Sequence, residues 1–294
     1  MNADTGSGTT RLDALLPADI ARLAEHAGAQ KVRADAVTLL TLAVLAGAFI
    51  ALGAMFATTV LAGAAGVIPY GISRLVAGSV FCLGLILVIV GGAELFTGNA
   101  LMVMAWVARK VRLGEMLRVW GIIYAGNFIG AIGTAALVYL SGQPASGAGS
   151  VAAVAMRVAA DKAALPFGHA LVLGILCNVL VCLAVWLAIG ARTVGDKVLA
   201  VLFPISAFVA AGFEHSVANM YIIPLGLFLK SGASATLWAQ IGATPADFAG
   251  LTWAAFLMNL VPVTIGNIIG GGALVGGVYW FIYLRRRAGS TTPS

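Results

Sequence analysis

Long apolar runs separated by short polar patches set the pattern of this chain. Six runs reach the 20 or so residues that a helix needs to cross a bilayer: 37–61, 75–107, 119–140, 168–189, 198–229 and 251–284. The second and fifth are long and interrupted, and the sixth includes an approach segment before Pro262. Ahead of them, between Asp13 and Arg33, Leu15, Leu16, Ile20, Leu23 and Ala27 recur at helical spacing among charges. That predicts an amphipathic helix on the membrane surface or against the protein. With no apolar h-region, it is not expected to be a secretory signal. The expected organisation is an N-terminal segment 1–36, a six-span body 37–284 and a short tail 285–294. The body divides into halves 37–140 and 168–284 around the low-complexity stretch 141–150.

Composition agrees with the pattern. Of 294 residues 61% are apolar and 10% charged, with a mean hydropathy of +1.02. Soluble domains carry about 45–50% apolar and about 25% charged residues, so this chain belongs in lipid. The net charge of +6 does not mark a nucleic-acid partner, because the basic residues cluster at the ends of apolar runs. With the N-terminus inside, the internal segments hold Arg11, Arg22, Lys31, Arg33, Arg109, Lys110, Arg112, Arg118, Arg192, Lys197, Arg285, Arg286 and Arg287. The external segments hold only Arg74, Arg157, Lys162 and Lys230. This bias predicts both termini in the cytoplasm. Trp106, Trp120, Trp280 and Tyr283 fall near the expected inner boundary, where aromatic anchors belong. Cys82, Cys177 and Cys182 all lie inside apolar runs without a CxxC or Cys/His cluster, so neither a disulfide framework nor a metal is expected.

The two halves repeat each other. Gly92-Ala-Glu94-Leu-Phe-Thr-Gly-Asn99 in the second run and Gly212-Phe-Glu214-His-Ser-Val-Ala-Asn219 in the fifth are both G-x-E-x4-N. Gly126-Asn127-Phe-Ile-Gly130 in the third run matches Gly266-Asn267-Ile-Ile-Gly270 in the sixth. Three crossings per copy is an odd number, so the second copy inserts upside down, and inverted repeats place their site where broken helices meet. The fold expected is an all-α membrane protein of six crossings with the second and fifth broken. Irregular backbone at that depth lines a cavity or is packed by protein. Helix halves leaving the breaks would offer N–H groups to an anion, and Thr97, Asn99, Ser216 and Asn219 would add neutral donors. Glu94 and Glu214 would repel an anion, so they are expected to turn aside and brace the breaks, with Asn99 and Asn219 beside them. Asn127 and Asn267 are expected to join helices by hydrogen bonds, and glycines such as Gly126, Gly130, Gly133, Gly266, Gly270 and Gly271 to let helices approach closely. His215 is the ionisable residue with the strongest functional reading, since a titratable group in lipid is costly. Nothing is assigned to His26 or His169.

These stretches resemble the formate/nitrite transporter family, in its formate-channel branch. The likeness rests on Ile89-Val-Gly-Gly-Ala-Glu-Leu-Phe-Thr-Gly98, Gly174-Ile-Leu-Cys-Asn-Val-Leu-Val-Cys-Leu-Ala184, Gly212–Met220 and Pro262-Val-Thr-Ile-Gly-Asn-Ile-Ile-Gly-Gly271. Leu15-Leu-Pro-Ala-Asp-Ile-Ala and the Asp161-Lys162 pair agree with it. It implies an aquaporin-like protomer in a homopentamer, each protomer with its own pore, in a bacterial inner membrane. It also implies that Phe81, Leu85, Leu95 and Phe208 form two apolar constrictions, with Thr97 and His215 facing each other between them. Asn178 would line the path and Lys162 the outer vestibule. Gly98-Asn99 replaces a more polar pair of the formate channels, and the neighbourhood of Lys162 is poor in histidine.

The function expected is passage of small monovalent anions, formate first, with nitrite and hydrosulfide as alternatives and a water or glycerol channel as a remote one. No cofactor and no enzymatic activity are expected; a formate-producing or formate-consuming enzyme is an expected partner. A hydrated anion could pass a pore gated by the N-terminal segment. Alternatively, imidazolium His215 could protonate the anion, which makes pH dependence an expectation and His215→Asn its test.

Overall fold

The computed structural model describes residues 13–285; Arg11, Arg286, Arg287 and most of the expected tail 285–294 lie outside them. Helix α1 (Pro17–Lys31) precedes α2 (Ala36–Leu61), which Asp35 starts by accepting hydrogen bonds from the N–H groups of Val37 and Thr38. Helix α3 (Tyr70–Gly91) ends where Gly92 takes φ +79°, a left-handed conformation that suits glycine. After this break come a 3-10 turn, Gly98–Met102, and a short α4 (Val103–Val107). Helix α5 (Leu113–Leu140) closes the first half.

The second half opens with α6 (Ser150–Ala163), followed by α7 (Phe167–Gly190) and α8 (Val194–Ala210). Gly212, at φ +75°, marks its break, and α9 (Ser216–Gly232) leaves it. A short α10 (Ala235–Ile241) leads to α11 (Trp253–Ile268), which continues through a π-helical stretch, Ile269–Gly277, into α12 (Val278–Tyr283).

Helices α2, α3, α5 and α7 and the joined α11–α12 are each long and apolar enough to cross a membrane, and α9 with the bent α10 makes a sixth candidate; α8 and α9 flank the Gly212 break in the fifth run. Five to six crossings result, and both breaks stand at the glycines of the repeated motif. The halves pack alike: α2 lies on α5, as α7 lies on α11. At Gly130 a Cβ would run into the Val44 carbonyl of α2, and at Gly270 into the Ile175 carbonyl of α7. Main chain thus touches main chain at equivalent places, which is how small residues join helices in lipid. Gly133 has nothing within 4 Å of such a Cβ and takes no part in this packing.

Two features differ from expectation. Trp120 is 7% exposed and donates its indole N–H to the Asn99 carbonyl at 3.0 Å, so it serves the interior rather than the lipid boundary. The π-helical stretch contains the run Gly270-Gly-Gly272, whose widened turns seat against Ala100 and Cys182. Stretches of this kind are rare and collect at functional sites.

Candidate functional site

The two breaks are built alike, residue for residue. Asn127 accepts from the Phe96 N–H at 2.8 Å and donates to the carbonyls of Ala43 and Glu94. Asn267 accepts from the Ser216 N–H at 2.9 Å and donates to the carbonyls of Gly174 and Glu214. In each half, an asparagine from the third crossing satisfies the unwound main chain of the second crossing and ties it to the first. An unpaired main-chain group at this depth would cost about 1–3 kcal/mol, which is why the breaks need this support. One consequence departs from the sequence reading. The N–H groups of Phe96 and Ser216 are engaged by the asparagines and are not offered to a ligand.

The glutamates are paired. Lys31 donates to Glu94 at 2.6 Å and to Asn99 at 2.8 Å, and Asn99 donates to Glu94. Lys162 donates to Glu214 at 2.6 Å, and Asn219 donates to Glu214 at 2.7 Å and to Asn259 at 2.8 Å. Glu214 and Lys162 are the more buried pair, with side chains 3% and 16% exposed. Lys31 and Asn259 have no role in the sequence reading. The signal for Lys31 was present: it stands five residues before the start of α2, as Lys162 stands five residues before α7. Helices α1 and α6 are thus counterparts, each with a lysine in its last turn that neutralises a glutamate in its own half.

Between the breaks the halves meet. Thr97 Oγ1 and His215 Nε2 lie 3.0 Å apart, and His215 Nδ1 accepts from the Ala218 N–H at 3.0 Å. Because Nδ1 accepts, the ring hydrogen sits on Nε2 and is donated to Thr97. Asn178 donates to the carbonyls of Thr97 and Asn267 at 3.1 and 2.6 Å. Its first-half equivalent by packing is Gly47, where a Cβ would strike the Asn127 carbonyl. Asn178 is fully buried and lies under Thr97, holding main chain. Both Ser216 Oγ and Asn178 Oδ1 are buried without a hydrogen-bond partner.

Apolar pairs lie on either side of Thr97 and His215. Phe81 and Phe208 meet edge to face with ring centroids 5.6 Å apart, and Phe208 stacks on the His215 ring at 5.9 Å. Both line a cavity that also contains Arg74, Lys162 and His215. On the opposite side, Leu85 and Leu95 line a second cavity with Lys31, Glu94 and Asn99. The line of residues therefore runs from cavity to phenylalanines, to Thr97 and His215, to leucines, to cavity. No cluster of metal-ligating side chains is present among the described residues.

This chain matches the family model described as formate/nitrite transporter over residues 18–281. It belongs to the formate/nitrite transporter family. As a family member, it is 43% identical to the Escherichia coli (strain K12) formate channel FocA over 274 residues, 93% of this chain and 96% of that one. It is 39% identical to the Haemophilus influenzae formate channel FocA over 90% of this chain and 93% of the other. Its fold matches a solved pentameric formate channel with formate bound at TM-score 0.81 and 40% identity, over 85% of this chain and 98% of that one. This formate/nitrite transporter family protein is thus a multi-pass membrane channel and not an enzyme.

Proposed function

We propose that the chain conducts formate and similarly small monovalent anions across a bacterial cytoplasmic membrane, as one pore of a homopentamer with both termini cytoplasmic. The observation that carries this reading is the Thr97–His215 hydrogen bond, one residue from each inverted half, set between Phe81 with Phe208 and Leu85 with Leu95. The formate channels among its relatives support the cargo, and the solved pentamer with formate bound supports both cargo and assembly. The distribution of lysine and arginine along the sequence supports the orientation. An enzyme that makes or uses formate supplies or consumes the cargo on the cytoplasmic side.

In this reading the phenylalanines and leucines are two constrictions, and the lysines keep Glu94 and Glu214 from repelling the cargo. Asn178 acts from beneath, by fixing the main chain of Thr97. An apolar ring opposes a bare anion because its hydration is lost there. Desolvation also favours the neutral form of a carboxylic acid, so formate gains a proton from the aqueous vestibule as it leaves water. His215 holds no second N–H to give while Nδ1 accepts from Ala218. The ring instead donates to Thr97, which leaves the Thr97 hydroxyl hydrogen directed to the cargo.

Formate flux into proteoliposomes across a pH series tests this. Wild-type flux should rise as pH falls. His215→Asn should lower flux by about five-fold, the worth of a neutral hydrogen bond of about 1 kcal/mol, and leave the sign of the pH dependence unchanged. Flux no greater than in empty liposomes would end the reading. Loss of all pH dependence in His215→Asn would return the proton to the histidine.

A further inference from the structure

Two cations, Arg74 and Lys162, line the cavity that leads to Phe81 and Phe208. They are not equivalent. The Lys162 ammonium is 2.6 Å from Glu214, and both side chains are largely buried, so the pair presents no net charge to the cavity. Arg74 has no carboxylate within ion-pair distance among the described residues. Its Nε donates to the Ala210 carbonyl at 3.4 Å, and its Nη2 donates to the Val209 carbonyl.

Those carbonyls belong to the last turn of α8, where the helix dipole is negative; that of Val209 also accepts from the Gly212 N–H at 3.1 Å. Without a cation beside it, the negative end of that helix would repel an anion. A full positive charge held over it reverses the sign of the local field. Arg74 is half-buried, so its charge is screened less than one in open solvent. The guanidinium carries five N–H groups, of which the α8 carbonyls engage only part. Its planar fork suits two oxygens of one small anion, as a lysine ammonium does not. Arg74 also precedes Phe81 on α3 by seven residues, two helical turns or about 10 Å, which puts both on one face.

We propose that Arg74, and not Lys162, is the residue that gathers the anion in this vestibule and presents it to the phenylalanine pair. This rests on the anion-channel reading above and adds to it the group that sets access from the Lys162 side.

The test uses right-side-out membrane vesicles, in which every channel faces the same way. Formate uptake is followed against formate concentration and against added potassium gluconate. At low formate, wild-type uptake should fall as gluconate screens the field. Arg74→Gln should lower uptake at low formate by about ten-fold, as loss of a focusing charge does. It should also abolish the salt dependence, with maximal uptake at saturating formate close to wild type. Arg74→Lys should keep most of the low-formate uptake and the salt dependence. Equal loss at all formate concentrations with salt dependence retained would show that Arg74 merely caps α8, and would overturn the proposal. So would wild-type uptake indifferent to gluconate, a result that requires no variant to fold. Absence of formate uptake by wild-type vesicles would instead overturn the channel reading, and this inference with it.

Discussion

Asn127 and Asn267 place their side-chain hydrogen bonds entirely on main-chain atoms, three apiece. Alanine at either position would strand three groups, at about 1–3 kcal/mol each. Both variants should therefore melt far below wild type in detergent, and Asn→Asp should recover part of the loss by keeping the acceptor. Glu214 poses a different problem. Removing it alone leaves Lys162 as a buried unpaired charge, so Glu214→Leu should cost about 3–5 kcal/mol, and adding Lys162→Met should restore much of it. A thermal melt of the single and double variants checks this. The matching G-x-E-x4-N stretches and the two asparagines of the third and sixth runs were legible in the sequence because duplication leaves the same residue types at the same spacing. Arg74 and Asn259 were not singled out, because each reaches its partner through tertiary packing that no local motif records; the spacing that Lys31 shares with Lys162 is read only once the helix starts are known. Asp35, outside the bilayer, has its carboxyl held below the ordinary range by hydrogen bonds from Thr38 and Val37. Its stabilisation of α2 is therefore present above the usual carboxylate pKa and fades as pH falls through the depressed value. Asp35→Asn should flatten that part of the stability profile.

At the scale of elements, hydropathy located the five to six crossings because each must span the same thickness of hydrocarbon. It did not separate α3 from the 3-10 turn and α4, since both sides of the break are apolar. It was also silent about the π-helical stretch. Glycine-rich sequence specifies closeness, and only the packing of Gly271 against Ala100, Cys182 and Asn178 decides how the turn is wound. Helix α6 escaped notice as an element because its sequence is alanine-rich and only mildly amphipathic. The Gly130 and Gly270 contacts give an element-level prediction. Gly130→Val or Gly270→Val would force α5 off α2 or α11 off α7 at a main-chain contact. Either should abolish folded channel in the membrane, whereas Gly133→Val should be tolerated. Size-exclusion profiles of the purified variants distinguish the two outcomes.

The whole molecule presents many large apolar side chains on its outer surface, among them Leu137, Phe203 and Met258. A protomer of this kind must meet lipid or other protomers over most of its girth. Native mass spectrometry should give a five-fold assembly, and a mass of one protomer would contradict it. Single cysteines near Thr193 and Ser234, in a cysteine-free background, should react with a membrane-impermeant thiol reagent from opposite sides of intact cells, with Ser234 the accessible one. The paired preludes α1 and α6 separate the two mouths in one further way. Among the described residues, α6 is strung between two crossings, so the cation opposite Glu214 is fixed in place by the chain itself. Among the described residues, helix α1 is continuous with the bundle through α2 alone; it also packs Ile20, Ala21 and Ala24 against Met104, Trp186 and Leu284 and is joined by bonds from Leu15 to Gly190 and Lys110 to Glu25. The same glutamate–lysine clasp therefore hangs from a helix continued at both ends in one half and, among the described residues, at one end in the other.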